Sequence, residues 1–287
     1  MPIDAAQALS AAPRTTTIAW GPKDVQLYHL GIGAGTPATD PGELRYVLED
    51  RLRVLPGFAT VAGGTMALAG GLSAPGIDVD LAAVLHGSQR VEAHRPLPVQ
   101  GSATQTSRVT AVHDKGKAAL IVLRSDVADA DGPLWTSESG IYVRGEGGFG
   151  GPRGDSARIQ LPDEKPDIDV ERPVREDQAL LYRLNGDYNP LHCDPEFARR
   201  AGFERPILHG LCSYGITLKA VVDTALDGDV TRVRSYSARF AGVVHPGETL
   251  RVRIWRERPE PGSLQVSVTA VERGDAPVLT DTAVALA

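Results

Sequence analysis

From residue 83 onward apolar and polar positions alternate, in runs over 83–93, 102–113, 118–126 and 134–144 separated by Pro, Gly or Asp. A period of two places successive side chains on opposite faces, so each run predicts a strand. The alternation returns over 232–241, 249–257, 263–273 and 278–286. Elsewhere the spacing is helical. Residues 210–226 carry Leu211, Tyr214, Leu218, Val221, Val222 and Ala225 on one stripe and predict the longest helix. Residues 23–30 have helical spacing that Gly31 stops, 44–52 are short and amphipathic, and 175–184 and 195–201 predict two more helices. Residues 56–72, opening at Pro56, are apolar all round and rich in Gly and Ala, which predicts a buried helix lying close against a sheet.

Helices then strands, twice over, imply two copies of an α+β unit with a helix across an antiparallel sheet. The run Ser107-Arg-Val-Thr-Ala-Val-His-Asp-Lys-Gly116 echoes Val266-Ser-Val-Thr-Ala-Val-Glu-Arg-Gly274, which supports a repeat. Residues 1–20 read as a loose lead-in. The glycine-rich 145–155 and the charged, proline-punctuated 162–173 mark a boundary. The expected division is an N-terminal unit at 1–155, a linker at 156–174 and a C-terminal unit at 175–287.

Composition narrows the chemistry. With 42% hydrophobic and 23% charged residues, the 287-residue chain can build a real core, and its net charge of −6 argues against nucleic-acid binding. Two cysteines, Cys193 and Cys212, give neither a disulfide framework nor a metal-ligand spacing, so no metal is expected. The apolar stretch 58–72 is short and interrupted by glycines, so no membrane span is expected either. The start of the chain has no basic patch before an apolar run, and the default expectation is a cytoplasmic protein. Gly31-Ile-Gly-Ala-Gly35 does not fit a dinucleotide loop, because no strand is predicted before it and Pro37 follows at once. Ser213 lacks the first glycine of a nucleophile elbow, since Leu211 stands there.

The candidate chemistry lies in Leu180-Leu-Tyr-Arg-Leu-Asn-Gly-Asp-Tyr-Asn-Pro-Leu-His192, which packs Asp187, Asn189 and His192 into six residues. Pro190 excludes a regular helix there, so the chain must turn after Gly186, and such a turn can aim an acid and an imidazole at one point. An acid and a histidine so held suit proton transfer.

This stretch, followed by Phe197-Ala198 and by Phe203-Glu-Arg-Pro-Ile-Leu-His-Gly-Leu-Cys212, resembles the hydratase 2 motif of the MaoC-like (R)-specific enoyl-CoA hydratases. It is similar to the hydratase domain of peroxisomal multifunctional enzyme type 2. Tyr28-His-Leu-Gly-Ile-Gly-Ala34, Val84-Leu-His-Gly87, Asp114-Lys-Gly116 and Arg239-Phe-Ala241 extend the likeness over nearly the whole chain. Asn185 departs from the pattern, which usually has a small residue before Gly-Asp. The resemblance implies a double hot-dog fold whose C-terminal unit is catalytic and whose N-terminal unit has lost its site and covers the acyl chain. It implies reversible syn hydration of trans-2-enoyl-CoA to (3R)-3-hydroxyacyl-CoA in fatty acid metabolism. No cofactor is expected beyond the CoA that belongs to the substrate.

In that reaction Asp187 and His192 would flank one water that Asn189 helps to orient, without a decision on which group takes the proton. The backbone N–H of Gly210, opening the long helix where amides are unpaired, would meet the enolate oxygen. By resemblance His86, Gly87, Lys115 and Phe240 would line the path of the CoA and pantetheine, with Tyr188, Pro190 and Leu191 beside them. His209 and Tyr214 read as structural, and both cysteines as inert. Competing readings are an acyl-carrier-protein 3-hydroxyacyl dehydratase, a thioesterase, and a non-catalytic thioester-binding hot-dog protein. Two such units within one chain allow a monomer or a homodimer through sheet edges.

Overall fold

The computed structural model describes residues 3–64, 74–80, 83–154 and 158–287. Ten strands form one antiparallel sheet. The N-terminal half supplies β1 (Arg14–Trp20), β2 (Val84–Ala93), β3 (Gly101–Asp114), β4 (Ala118–Asp129) and β5 (Gly132–Arg144). The C-terminal half supplies β6 (Ile168–Pro173), β7 (Val233–Phe240), β8 (Thr249–Arg256), β9 (Ser263–Ala270) and β10 (Ala276–Leu286). The order is β1-β3-β4-β5-β2-β7-β10-β9-β8-β6. From either edge inward, each half therefore runs first, third, fourth, fifth, second strand. The halves meet at β2 and β7, paired from Ser88–Arg239 to Glu92–Ser235. This is the double hot-dog arrangement.

The helices among the described residues are α1 (Ala5–Ser10), α2 (Pro22–Gly31), α3 (Pro41–Leu44), α4 (Gln178–Tyr182), α5 (Pro195–Arg200) and α6 (Gly210–Ala225). Every residue of α6 from Cys212 to Val222 is buried, as an apolar helix between a sheet and other helices must be. Gly215 lets α2 come close: a Cβ there would lie 2.6 Å from the Ile32 side chain and 2.8 Å from the Tyr28 hydroxyl. Tyr214 stacks on Tyr236 at 4.0 Å and donates its hydroxyl to the Tyr236 carbonyl at 2.7 Å. One buried lysine, Lys219, meets Glu43 at 2.6 Å and Asp223 at 2.7 Å, and Tyr46 donates to Asp223 at 2.7 Å. That network ties the α3 region to α6, and removing Lys219 would leave both carboxylates without their cation. The main core joins both halves. A second cluster packs Ile3, Ala8 and Ile77 on the outer face of β3, β4 and β5.

One interval relates the first part of each half, from its edge strand to Pro56 or Gly210. Arg14 and Ile168, which open the edge strands, are 154 residues apart, and so are Asp40 and Asp194. Each of those aspartates caps a short helix that begins with proline. The same interval carries α2 onto α4 with the turn after it, and Pro56 onto Gly210. Leu55 (φ −65°, ψ 133°) and His209 (φ −58°, ψ 133°) share one backbone conformation at that point.

Five expectations change. Residues 44–52, read as helical, hold only the last residue of α3 and a 3-10 turn at Glu49–Arg51. Residues 14–20 are an edge strand rather than a lead-in. The stretch expected as a linker at 156–174 contributes β6 and packs on the C-terminal sheet, with Trp255 Nε1 donating to the Glu164 carbonyl at 2.8 Å and Gln265 Nε2 to that of Gln160 at 2.7 Å. The echo of 107–116 in 266–274 matches β3 with the β9 end, whereas topology makes β8 the counterpart of β3, so that likeness is not the repeat. The helix expected over 56–72 begins as a 3-10 turn, Pro56–Thr60, and then turns, because Gly63 (φ 82°) and Gly64 (φ 66°) adopt left-handed backbone that no right-handed helix contains. Residues 65–73 of that expectation lie outside the described residues.

Candidate active site

Gly186 makes the turn after α4. Its φ of 117° suits glycine, and a Cβ there would fall 2.8 Å from the Gly64 carbonyl oxygen. Asn185 fits just before it by donating Nδ2 to the Tyr182 carbonyl at 2.9 Å, in space left by Gly31, where a Cβ would sit 3.0 Å from that nitrogen. The bulkier amide is thus accommodated by a glycine in the other half.

Beyond the turn, Asp187 Oδ1 accepts the Asn189 N–H at 3.1 Å, an Asx turn that fixes the carboxylate. Asn189 Oδ1 caps the 3-10 turn Pro190–His192 by accepting from Leu191 N at 3.0 Å, which leaves its NH2 group and one Oδ1 lone pair to meet a ligand. His192 Nδ1 lies 2.8 Å from the Ile207 carbonyl. A carbonyl can only accept, so Nδ1 carries the proton and neutral His192 presents Nε2 as a lone pair. That Nε2 stands 4.0 Å from Asp187 Oδ2, with the His192 side chain 11% exposed and that of Asp187 45%. Burial pulls the His192 pKa below the ordinary histidine value, against the opposing pull of the Asp187 charge. The imidazole is therefore neutral near pH 7.

Of the remaining candidates, Gly210, Phe240 and His86 meet at the start of α6. Gly210 is the first helical residue, and an added Cβ would sit 3.1 Å from the Phe240 ring. Phe240 in turn lies 4.8 Å from the His86 ring across the β2–β7 junction. Among the described residues His86 Nε2 is enclosed without a partner, and desolvation pushes this imidazole down to about 4, against hydrogen bonding with Ser88 and Gln89 and the Asp187 charge. Gly87 falls at a bulge of β2 against β5, where a Cβ would lie 3.1 Å from the Gly140 carbonyl oxygen. Tyr188 is exposed with the Arg183 guanidinium 4.9 Å above its ring; Pro190 is exposed and Leu191 half-buried. Lys115 stands apart, in the turn after β3 and three strands from β2, roughly 14 Å away at about 4.8 Å per strand.

One residue that sequence reasoning set aside belongs to the cluster. His209 stacks on His192 at 3.7 Å and 28°, and its Nε2 lies 3.1 Å from the Asp187 carbonyl. Its signals in the sequence were adjacency to Gly210 and a place within the matching stretch Phe203–Cys212. Asp187, His192 and His209 bring ligand-type atoms within 4.8 Å of one another. Yet the two rings lie face to face, so lone pairs in their planes run side by side instead of converging as a metal requires. The arrangement suits proton transfer.

Residues 19–145 match the MFE-2 hydratase 2 N-terminal domain, and residues 158–275 match the MaoC like domain. The chain is 50% identical to a Mycobacterium tuberculosis protein named enoyl-CoA hydratase ChsH3, over 98% of both chains. It is 40% identical to Arabidopsis thaliana "Enoyl-CoA hydratase 2, peroxisomal", over 84% of each. Among solved structures, a MaoC-like dehydratase from Phytophthora capsici superposes with a TM-score of 0.88 at 31% identity, covering 99% of this chain and 98% of that one.

Proposed function

The chain belongs to the MaoC-like hydratase 2 family, and from that premise we propose that it adds water reversibly to trans-2-enoyl-CoA, giving (3R)-3-hydroxyacyl-CoA in fatty acid metabolism, with Asp187 and His192 activating the water. The observation that carries the residue assignment is the 4.0 Å between His192 Nε2 and Asp187 Oδ2 beside the start of α6. Two acceptors cannot bond each other, but a donor between them can serve both. One water spans them, at about 2.8 Å from each and about 90° between its two bonds.

Such a water points both protons at acceptors and a lone pair at C3 of the enoyl group. As the C3–O bond forms, one proton passes to the pair and the C2=C3 electrons move toward the thioester carbonyl. The Gly210 N–H then holds the enolate oxygen, where helix-start amides are unpaired and carry partial positive charge. Returning the proton to C2 from the same side completes syn addition, and the thioester remains intact. The Asn189 NH2 orients the water or the substrate. Lys115, three strands away, meets the nucleotide end of CoA, while His86, Gly87, Tyr188, Pro190, Leu191 and Phe240 flank the pantetheine, and the acyl chain runs toward the N-terminal half. Among the described residues no helix is long and apolar enough to cross a membrane.

The test is the loss of enoyl-thioester ultraviolet absorbance with crotonyl-CoA and decenoyl-CoA, followed by chiral analysis of the product. Turnover to the (3R) alcohol is expected, and Asp187→Asn and His192→Gln are each expected to lower kcat by 10²–10⁴ with the fold intact. Full activity in either variant removes that residue from the mechanism, and an (S) product removes the assignment.

A further inference from the structure

His209 holds a place that neither packing nor helix capping explains. It sits at the cap position of α6, yet its side chain makes no cap bond. Nε2 instead donates to the backbone carbonyl of Asp187 at 3.1 Å, the ring lies on His192 at 3.7 Å, and the Tyr182 ring backs it at 5.0 Å. One side chain thus touches the main chain of the acid and the plane of the base, and it is bonded in sequence to Gly210. The titratable groups facing it are Asp187 and His192 from the motif loop and Tyr182 and Arg183 from the segment before it. Burial, helped by His192, pushes the His209 pKa down to about 3, so no second positive charge competes with protonation of His192.

The other half supplies an independent observation. At the counterpart position, with the same backbone angles, stands Leu55, fully buried. A hot-dog unit therefore folds with a leucine here. By the 154-residue interval Asp187 falls on Gly33 and His192 on Ala38. A slip of one either way gives Ile32 or Ala34, and Pro37 or Thr39, none of which titrates as an acid or base. Gly210 falls on Pro56, which has no N–H. The histidine is present where acid, base and helix-opening amide are present, and absent where all three are absent.

The geometry points to His209 as a positioning residue, whose N–H fixes the Asp187 main chain and whose ring fixes the plane of His192, so that Oδ2 and Nε2 stay at the span of one water. This rests on the reading of Asp187 and His192 as the reacting pair. It separates from that reading experimentally.

Two variants decide it. His209→Leu installs the residue its counterpart already uses, and His209→Gln keeps an N–H long enough to reach the same carbonyl. For His209→Leu, kcat on crotonyl-CoA is expected to fall about 100-fold, the loss typical of a misplacement near 1 Å, with KM within about threefold. The acid limb of its kcat–pH profile is expected at lower pH, because a displaced Asp187 no longer raises the pKa of His192. His209→Gln is expected to recover to within about tenfold of the unaltered protein. A leucine variant within threefold in kcat with an unmoved limb overturns the proposal, and so does a glutamine variant no better than leucine. Should the leucine variant not fold, the glutamine variant decides alone: a loss beyond about tenfold in kcat overturns the role, and recovery within tenfold with the limb in place supports it. Asp187→Asn and His192→Gln run alongside: if they lose turnover while His209→Leu does not, the positioning role fails and the hydratase reading stands. If none of the four loses turnover, the reading itself has failed.

Discussion

The two halves share a strand order and, from the edge strand to Pro56 or Gly210, a 154-residue interval, but they differ at the acid, the base and the helix-opening amide of the proposed chemistry. In the C-terminal half a turn at Gly186 brings a carboxylate and an imidazole together beside a helix that opens with an amide. In the N-terminal half the same turn offers Gly33 and Ala38, and the matching segment opens at Pro56. Beside Pro56 lies a cavity of about 530 Å³, lined also by Leu52, Val54, Arg95, Leu97 and Val233. Each half also buries a histidine near this point, with opposite outcomes. His29 has both nitrogens engaged, Nδ1 with the Tyr46 carbonyl at 2.7 Å and Nε2 accepting from Leu55 N at 3.3 Å. His209 keeps Nδ1 buried without a partner among the described residues. The difference teaches that the hot-dog scaffold needs neither the acid, the base nor the amide. Those are additions to a frame that stands without them.

Exchanging features between the halves tests this. The largest effect is expected from Gly210→Pro, which imports the N-terminal solution. His209 already has the extended backbone that precedes a proline, and the first helical position tolerates one, so the fold should hold. The lost N–H should cost about 3–4 kcal/mol of transition-state stabilisation, seen as a fall in kcat, whereas Gly210→Ala keeps the amide and serves as the steric control. Next is Gly186→Ala, which meets both a φ of 117° and the Gly64 carbonyl at 2.8 Å. A loss of roughly 1–3 kcal/mol is expected in denaturant unfolding, with alanine tolerated far better at its counterpart Ile32, where φ is −105°.

A smaller effect concerns acid. Burial holds His29 down at about 4, below the ordinary 6.5, so the folded state binds fewer protons than the unfolded chain between those values. Stability contributed this way is complete above pH 6.5 and falls by up to about 1.4 kcal/mol per unit as pH drops toward 4. Unfolding midpoints at pH 7, 6 and 5 measure it, and His29→Gln should flatten the slope. The smallest effect is expected from Lys115→Ala, a rise of about threefold in KM for acyl-CoA, or roughly 0.7 kcal/mol, with no change for acyl-pantetheine substrates that lack the nucleotide.

Much of this was legible in the residues because burial and periodicity coincide there. The central strands β2–β5 and β7–β10, and α6 with its stripe from Leu211 to Ala225, were predicted within a few residues. The turn after Gly186 was legible because Pro190 leaves the chain no helical alternative. The edge strands were not. β1 reads Arg-Thr-Thr-Thr with its first residues exposed, and β6 alternates half-buried with exposed positions and ends in Pro173, so neither carries the apolar signal of a strand flanked on both sides. The apparent repeat at 266–274 misled because a shared Val-Thr-Ala-Val run does not fix a strand's place in the sheet: β3 alternates buried with more exposed positions, whereas β9 is buried throughout. His209 was invisible because its role depends on a stacking partner 17 positions earlier and on a carbonyl 22 positions away. Spacing along the chain cannot show either.

The ladder between β2 and β7 has one more consequence. A pair of identical units joined across such a seam would have to repeat every substitution on both sides, so a change that ruins catalysis in one ruins it in the other. Covalent fusion lifts that constraint. Each copy can drift alone, and the molecule becomes a permanently lopsided dimer with a single proposed working face per chain, in which the silent partner is at liberty to be reshaped around whatever the active one must hold.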